Sequence, residues 1–330
     1  MDARALGRTG LSVSALGFGC GNVGGLMVRG APAEQERAVA RAIDLGINYF
    51  DTAPSYGDGQ SETNLGRVLK TLSARVYVGT KFRLASADLS NAGTAIEKSL
   101  DGSLARLRRA EVDLLQLHNP IRSIHDASGV TSGDVLDAIV PALQRLRQAG
   151  KIRFYGITAL GDTFAIHGVL GAGAVHTAQV ALNLLNPSAG RSVPAGFPAQ
   201  DFHDIIGIAR QRGTGTIVIR VFAAGALSGT MERHPTAVPA VDPIASGPDY
   251  QADVRRAAAF GALVKDGLVG SVVEAALRFA LTVDGVSTVL LGYSSQEHLE
   301  TAAAAVNRGP LPAAALERLE TIWQELAKAR

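Results

Sequence analysis

The sequence predicts an α/β fold, a closed (β/α)8 TIM barrel with an N-terminal β-hairpin and a C-terminal helix. Short apolar, β-prone segments alternate eight times with amphipathic helical segments between residues 15 and 306, without a break in composition. Strands this apolar need helices over both faces, which indicates a parallel sheet. Eight units in about 300 residues suit a closed barrel better than an open sheet. The whole chain, residues 1–330, is expected to be one barrel domain.

The predicted strands follow from apolar and β-branched runs that end at turn residues. A small hairpin is predicted over residues 4–14, around the turn Arg8-Thr9-Gly10. The eight barrel strands are predicted at 15–18, 47–50, 76–80, 112–117, 152–157, 175–182, 216–222 and 288–291.

The predicted helices follow from apolar residues at helical spacing and from end signals. In the first long helix Ala38, Val39 and Ala42 share one face, and Gly46 follows its end. A later helix is expected to begin near Pro141, because proline is tolerated in a first turn. The helices are predicted at 34–45, 62–69, 92–108, 141–150, 162–170, 202–212, parts of 252–281, 296–306 and 316–327. Three long connections are candidate substrate or cofactor loops, 119–134, 183–200 and 225–250, and the last is long enough to fold over a ligand.

Composition excludes several classes of function. The formal net charge is +2 without a long basic run, which argues against nucleic-acid or anionic-membrane binding. No apolar stretch reaches the length of a membrane span, and the N-terminus lacks a signal-peptide core. The single cysteine, Cys20, rules out an intrachain disulfide, and no Cys/His cluster has the spacing of a metal site. A cytoplasmic protein is expected, and both a monomer and a homo-oligomer are compatible with the sequence.

Four side chains stand at or just beyond the carboxyl ends of three successive strands. Asp51 ends one strand and Tyr56 lies on the loop after it, Lys81 ends the next strand, and His118 ends the third. Each alone has a bland explanation as a turn residue or a structural histidine. The carboxyl ends of parallel strands meet at one edge, where barrels carry their chemistry, so the joint pattern predicts a catalytic site.

These residue types also form a consistent chemical set. A phenol titrates near ~10, so a tyrosine that gives up a proton at neutral pH needs a cation beside it. Lys81 can be that cation, and Asp51 would keep it charged and oriented. His118 could donate a hydrogen bond to a carbonyl oxygen on which negative charge develops. The set favours proton transfer coupled to hydride transfer over nucleophilic hydrolysis.

A glycine-rich segment follows the first strand. Gly19-Cys20-Gly21-Asn22-Val23-Gly24 matches the dinucleotide fingerprint GxGxxG, which should open directly into a helix. Residues 25–32 instead read as a turn before any helix begins, so a Rossmann interpretation is disfavoured. We expect Gly19 and its neighbours to let a nicotinamide or substrate lie close to the barrel mouth.

Several of these segments together resemble the aldo-keto reductase superfamily. The similarity rests on Leu6-Gly7-Arg8-Thr9-Gly10-Leu11-Ser12-Val13-Ser14, Asn48-Tyr49-Phe50-Asp51-Thr52-Ala53 with Tyr56-Gly57, Thr80-Lys81 and Gln116-Leu117-His118, and it runs essentially end to end. The resemblance implies a barrel that binds a nicotinamide dinucleotide without a Rossmann fold. It implies Tyr56 as general acid, or base in oxidation, supported by Asp51, Lys81 and His118.

The resemblance also implies cofactor contacts. Gln179 matches the residue that holds the carboxamide, whereas Thr158 stands where the family usually has serine. Arg220-Val221-Phe222 replaces the usual Ser-Pro-Leu; Arg220 could pair with the pyrophosphate or a substrate, or be a surface ion pair. The expected contacts are Gly19, Asp51, Thr158, Gln179, Arg220, Val221, Phe222, Gly225, Leu227, Gly292, Ser294 and His298.

The segment 292–299 is expected at the adenosine side, and it bears on the choice between NAD and NADP. Many NADP-using members carry Arg or Lys where Ser294 stands, and a 2′-phosphate without such a partner loses a charge-assisted hydrogen bond. We therefore favour NAD, while Arg83 and Arg220 could substitute for the missing residue. The Ser-Ser pair, the segment Gly156-Ile157-Thr158 and the opening hairpin are similar to the L-galactose and other aldose dehydrogenases of the superfamily.

The favoured function is hydride transfer between a nicotinamide cofactor and a small carbonyl or hydroxyl compound, with an aldose oxidised at C1 as the preferred substrate. An NADPH-dependent aldehyde or ketone reductase is the alternative within the same class. A cofactor-binding regulatory subunit with little turnover, like the barrel proteins attached to potassium channels, is the alternative from another class.

Overall fold

A computed structural model describes residues 1–126 and 129–328. In chain order the strands are β1 (Ala3–Ala5), β2 (Ser12–Ser14), β3 (Leu16–Gly19), β4 (Tyr49–Asp51), β5 (Tyr77–Phe82), β6 (Val112–Leu117), β7 (Ile121–Arg122), β8 (Val130–Thr131), β9 (Ile152–Thr158), β10 (Thr177–Ala181), β11 (Gly215–Ile219) and β12 (Val286–Gly292). Eight of them close a parallel barrel in the order β3-β4-β5-β6-β9-β10-β11-β12, with β12 paired to β3. The predicted closed barrel is confirmed.

The helices surround the barrel. They are α1 (Leu26–Arg29), α2 (Pro32–Asp44), α3 (Gln60–Thr71), α4 (Ala92–Leu107), α5 (Ser132–Asp134), α6 (Val140–Gln148), α7 (Thr163–Gly171), α8 (Ile205–Gln211), α9 (Tyr250–Ala257), α10 (Gly261–Lys265), α11 (Val272–Thr282), α12 (Gln296–Val306) and α13 (Ala313–Lys328). Their inner faces cover the strands, and every residue of β6 is buried. This two-sided burial is why the strands lack alternating polarity.

The N-terminal hairpin of β1 and β2 closes the amino-terminal end of the barrel. Leu6, Leu11 and Val13 of the hairpin pack with Ile217 and Leu290 in one buried apolar cluster. Gly7, at φ +52°, lies so close to β11 that an added Cβ would fall 2.2 Å from the amide nitrogen of Gly215. The hairpin therefore fits as a plug, and only glycine allows that approach.

Two local predictions were wrong, and one was incomplete. The helix expected near Pro141 is α6, which begins at Val140, but α5 and a π-helical turn, Val135–Ile139, directly precede it and were not predicted. The seventh barrel strand ends at Ile219 rather than at residue 222. A one-turn helix, α1, lies within the segment 25–32 that was expected to be a turn.

Two further predictions concern membranes and the long connections. None of the described helices is long and apolar enough to cross a membrane. Of the long connection predicted at 119–134, residues 127 and 128 lie outside the described part of the chain.

Candidate active site

The carboxyl ends of β4, β5 and β6 bring the predicted catalytic residues together. Asp51 is the last residue of β4, Lys81 lies opposite Gln116 near the end of β5, and His118 directly follows β6. Asp51 and Lys81 are only 2% and 1% exposed, so two opposite charges are held away from water. Such a pair is tolerated when further hydrogen bonds complete both groups.

The Lys81 ammonium lies at the centre of the cluster. It forms an ion pair with Asp51 Oδ1 and donates to the Thr52 carbonyl at 2.8 Å. A third hydrogen bond runs to the Tyr56 hydroxyl at 3.2 Å. Burial alone would lower the pKa of Lys81, but Asp51 and Tyr56 outweigh burial and raise the pKa above its ordinary value. Lys81 is therefore a charged donor with all three hydrogens directed at oxygen.

A short turn after β4 places the Tyr56 ring over this ammonium. The Tyr56 amide donates to the Ala53 carbonyl at 3.1 Å, and the ring centroid lies 4.8 Å from Lys81 Nζ. On the other side of the ring, a Cβ added to Gly21 would lie 3.5 Å from the Tyr56 ring carbon Cζ. The phenol is thus held between the glycine-rich segment and the lysine.

His118 forms the adjacent wall. Its ring stands edge-on to the Tyr56 ring, with centroids 6.0 Å apart, and its amide donates to the Phe82 carbonyl at 2.9 Å. Burial, assisted by the charges of Lys81 and Arg83, lowers the pKa of His118 from 6.5 to about 2. The imidazole is therefore neutral at physiological pH and presents one N–H donor.

Tyr49 belongs to this cluster and was missed from the sequence. Its hydroxyl donates to Asp51 Oδ2 at 2.9 Å, and burial together with the Asp51 charge raises its pKa well above 10. Gly79 on the neighbouring strand leaves the necessary space, since a Cβ there would lie 2.7 Å from the Tyr49 hydroxyl. The available signal was the two-residue spacing from Asp51, which puts both side chains on the same side of β4.

Gln179 and Thr158, two of the predicted cofactor residues, extend the same network. Gln179 Nε2 donates to Asp51 Oδ2 at 2.7 Å, and Thr158 Oγ1 lies 3.5 Å from Gln179 Oε1. The two residues are register partners on β10 and β9. An amide offers two hydrogens and two lone pairs, so Gln179 keeps the capacity for one more donor and one more acceptor contact.

The segment 220–227 forms a tight turn at the end of β11. Arg220 has φ +59°, which ends the strand, and its carbonyl accepts from the Ala223 amide at 2.7 Å. The carbonyl of Phe222 accepts from the amides of Gly225 and Leu227, while Val221 and Leu227 are fully buried. These contacts shape the loop.

Arg220 is half-buried and lacks a carboxylate partner among the described residues. Its guanidinium donates to the Asp242 carbonyl at 3.2 Å. Burial lowers the pKa of Arg220, and the charges of Tyr56 and Asp242 partly offset this effect. The surface ion pair considered from the sequence does not form, so Arg220 is a cation available to a ligand.

The long connection between the β11 turn and α9 crosses the barrel mouth. Arg29 Nε donates to the Thr236 carbonyl at 2.9 Å, and the Val238 amide donates to the Val23 carbonyl at 3.3 Å. With Arg220 bonded to Asp242, the connection spans from the segment after β3 to the end of β11, above β12. The prediction that this connection could fold over a ligand agrees with its course.

The glycines after β3 have packing roles. A Cβ on Gly19 would lie 3.0 Å from the Leu291 carbonyl, and one on Gly24 would lie 2.5 Å from the Tyr293 amide nitrogen. The segment therefore packs against the end of β12 and does not open a long helix, which excludes the Rossmann interpretation. Burial, with the charge of Asp51, raises the pKa of the Cys20 thiol, so this residue stays protonated.

Residues 293–295 join the end of β12 to the first turn of α12 next to this packing. Gly292 is exposed, Ser294 is 7% exposed, and Ser295 caps α12 by accepting from the His298 amide at 3.3 Å. The His298 ring lies 5.5 Å from the His234 ring of the long connection. Arg83 follows β5, which is three strands away from β12 in the barrel, and its charge acts on His118.

Among the described residues no group of three or more His, Cys, Asp and Glu side chains could hold a metal ion. The polar network of the site runs from Thr158 through Gln179, Asp51 and Lys81 to Tyr56.

Comparison with known proteins agrees with this geometry. An L-galactose dehydrogenase of Arabidopsis thaliana is 32% identical, over 93% of this chain and 88% of the relative. A D-threo-aldose 1-dehydrogenase of a Pseudomonas species is 28% identical, over 99% of this chain and 97% of the relative. The solved structure of the aldo-keto reductase AKR11C1 from Bacillus halodurans in its holo form matches with a TM-score of 0.72 and 26% identity, over 100% of this chain and 97% of that one.

The model of the Aldo/keto reductase family matches residues 15–324, nearly the full barrel with its closing strand and helix. This protein therefore belongs to the aldo/keto reductase family, whose members are oxidoreductases that use a nicotinamide cofactor.

Proposed function

We propose that this protein oxidises an aldose at its anomeric carbon with NAD⁺, and that Tyr56 accepts the proton. The observation that supports this most directly is the 3.2 Å contact from the Lys81 ammonium to the Tyr56 hydroxyl. A buried ammonium stabilises a phenolate, which is the form of tyrosine that can accept a proton from a sugar hydroxyl.

In the proposed step, C1 loses a hydride and the C1 hydroxyl loses a proton, and each has its own acceptor. When bound, the nicotinamide supplies the acceptor for the hydride that leaves C1. Tyr56 takes the proton of the C1 hydroxyl as the carbonyl forms, and in the reverse direction it returns that proton to the carbonyl oxygen. Lys81 holds the phenolate, and Asp51 keeps Lys81 charged and oriented.

His118 positions the substrate oxygen in this proposal. Because its imidazole is neutral, it donates one N–H and offers no second acidic proton in competition with Tyr56. A fixed donor directed at an oxygen that changes its charge favours the transition state over the ground state.

The residues around the cluster fit a nicotinamide dinucleotide. Gln179 and Thr158 would hold the carboxamide, using the donor and acceptor capacity left on Gln179. The half-buried Arg220, which forms no ion pair among the described residues, would take the pyrophosphate. The backbones of Gly19, Phe222, Gly225 and Gly292 would line the rest of the path, whereas Val221 and Leu227, also expected there, are fully buried.

The adenosine side supports NAD over NADP. Ser294 offers no charge, and the neighbouring Glu297 places a carboxylate in the first turn of α12. A 2′-phosphate there would meet an acid and not a Lys or Arg, whereas the ribose hydroxyls of NAD can donate to oxygen. His298 would contact the adenosine through its exposed ring.

The aldose itself is proposed from the relatives. Two similar proteins that align over most of their length are named for oxidation of L-galactose and of D-threo-aldoses. Their shared chemistry is removal of a hydride from the anomeric carbon.

Initial rates test the proposal directly. The wild-type protein is assayed with NAD⁺ and NADP⁺ in parallel against L-galactose, L-fucose and D-arabinose, and cofactor affinity is measured separately by fluorescence titration. We expect NAD⁺-linked oxidation of at least one sugar and tighter binding of NAD⁺ than of NADP⁺.

Two other results would replace the proposal. Activity only as NADPH-linked aldehyde reduction would assign the protein to the reductases and make Arg220 the first residue to examine for 2′-phosphate binding. Cofactor binding without turnover in either direction would favour a regulatory subunit.

A further inference from the structure

Arg83 extends the row of cations that begins at Lys81. Lys81 is the last but one residue of β5, and Arg83 is the first residue after the strand, two positions further along the chain. Phe82 and Leu84, which alternate with them, are buried in the surrounding core. Lys81 therefore lies at the floor of the site, and the exposed Arg83 lies one step nearer the barrel mouth.

Arg83 forms no ion pair with a carboxylate among the described residues. The acids of the adjoining loops are engaged elsewhere, since Asp88 accepts from the Ala85 amide at 2.7 Å and Asp126 pairs with Arg122 at 3.2 Å. Arg83 is thus a free guanidinium beside the reacting groups.

The charge of Arg83 acts on the site itself. It is one of the two cations that, after burial, lower the pKa of His118, and no acid acts in the opposite direction. The position where His118 and Tyr56 would hold the substrate oxygen therefore has a positive potential on its outer side.

We propose that Arg83 binds an anionic group, a carboxylate or a phosphate, carried by the substrate at the end remote from the reacting carbon. The inference rests on the proposed sugar oxidation and narrows it to acidic sugars. Two residues along a strand advance by about 7 Å, which is comparable with the length of a six-carbon sugar. A sugar whose C1 lies at Tyr56 would thus bring its C6 substituent to Arg83, whose planar guanidinium suits carboxylate and phosphate oxygens.

Three sugars of one configuration test this proposal. NAD⁺-linked oxidation is measured for galactose, galacturonate and galactose 6-phosphate with the wild type and with Arg83→Gln. We expect kcat/KM of the wild type to be at least about tenfold higher for one of the anionic sugars than for galactose. Arg83→Gln should bring this ratio close to one, mainly through KM.

The matched control is Arg75→Gln. Arg75 is also exposed, and it precedes β5 at the opposite end of the barrel. Its loss changes the net charge equally and should leave the ratio at the wild-type value. A preference for galacturonate identifies a carboxylate site, and a preference for the 6-phosphate identifies a phosphate site.

Equal kcat/KM for the three sugars in the wild type, or an unchanged ratio in Arg83→Gln, would overturn the proposal. If no sugar is oxidised at all, the proposed sugar function fails separately. The role of Arg83 is then decided by reduction of 4-carboxybenzaldehyde and benzaldehyde, where a preference for the charged aldehyde that Arg83→Gln removes supports it and equal rates refute it.

Discussion

The two ends of the barrel are filled by side chains of opposite polarity. At the amino-terminal end, Leu6, Leu11 and Val13 of the hairpin fill the opening with hydrocarbon. At the carboxyl end, Asp51 and Lys81 are as well buried, but they are held by hydrogen bonds and an ion pair. Both ends exclude water, so burial alone does not distinguish a plug from a reaction centre.

Tyr49 marks the boundary between the two regions. Its ring packs in the apolar cluster of the hairpin, and its hydroxyl donates to Asp51. The apolar end therefore stabilises the fold, whereas burying the charged groups of the polar end lowers the stability of the fold. Mutations at the two ends should therefore separate activity from folding.

The largest effect is expected from Tyr56→Phe. Removing the hydroxyl removes the proton acceptor, so kcat should fall by about a thousandfold. Folding and the fluorescence-measured affinity for cofactor should stay close to wild type, because Lys81 keeps Asp51 and the Thr52 carbonyl as partners. Tyr77→Phe, on the same barrel near its amino-terminal end, is the control. A Tyr56→Phe enzyme with its rate intact would refute the assignment.

Lys81→Met should lower both the activity and the stability of the protein. It leaves the Asp51 carboxylate buried without its cation, which should lower the free energy of unfolding by about 4 kcal/mol in urea denaturation. Adding Asp51→Asn removes the unpaired charge, so the double variant should regain part of the stability but none of the activity. A loss below about 1 kcal/mol in Lys81→Met would show that the ion pair is not held dry.

Leu6→Ala tests the opposite end. Leu6 is fully buried in the hairpin cluster, and its truncation should lower the free energy of unfolding by about 3 kcal/mol. The kcat of the remaining folded protein should be unchanged, because no polar contact of the site involves this residue. A large fall in kcat at full folding would mean that the plug sets the position of Tyr49 and, through it, of Asp51.

The smallest effect is expected in the dependence of stability on pH. His118 has its pKa lowered to about 2 in the fold against 6.5 when unfolded, so the unfolded chain binds the extra proton in between. Stability should therefore be complete above pH 6.5 and decrease as the pH falls, by about 1 kcal/mol between pH 6.5 and 5.5 for this residue. His118→Asn should lose less over that interval in urea denaturation, and the exposed His125→Asn should behave as the wild type. Equal losses in all three proteins would contradict the burial of His118.

The barrel was predictable because its signals are local and repeated. Apolar strands such as Val112–Leu117 and helices such as Gln296–Val306 have the predicted ends. The errors lie where an uncommon backbone decides the structure. The left-handed φ of Arg220 ends β11 early, and the π-helical turn at Val135–Ile139 adds helical residues ahead of α6 that were not predicted. Neither has a distinctive residue pattern.

Of the candidate site, the sequence predicts that Asp51, Tyr56, Lys81 and His118 meet, because strand ends converge. It did not predict that Gln179 bonds to Asp51, which depends on two strands from distant parts of the chain facing each other across the barrel. Tyr49 was missed for another reason. A tyrosine in an apolar strand looks like core, and only the gap left by Gly79 shows that its hydroxyl has a polar partner.

The pairing of β12 with β3 has a consequence for how the protein is made. Val289 of β12 pairs with Leu16 of β3, so the barrel closes only after β12, the last of its eight strands along the chain, has left the ribosome. Until then, the edge of β3 and the apolar face of the hairpin lack their contacts with β12. Strand pairings between residues this distant in sequence form slowly. The nascent chain is therefore expected to form an open sheet first. In that sheet the strands that position Asp51, Lys81 and His118 can pair long before β12 pairs with β3.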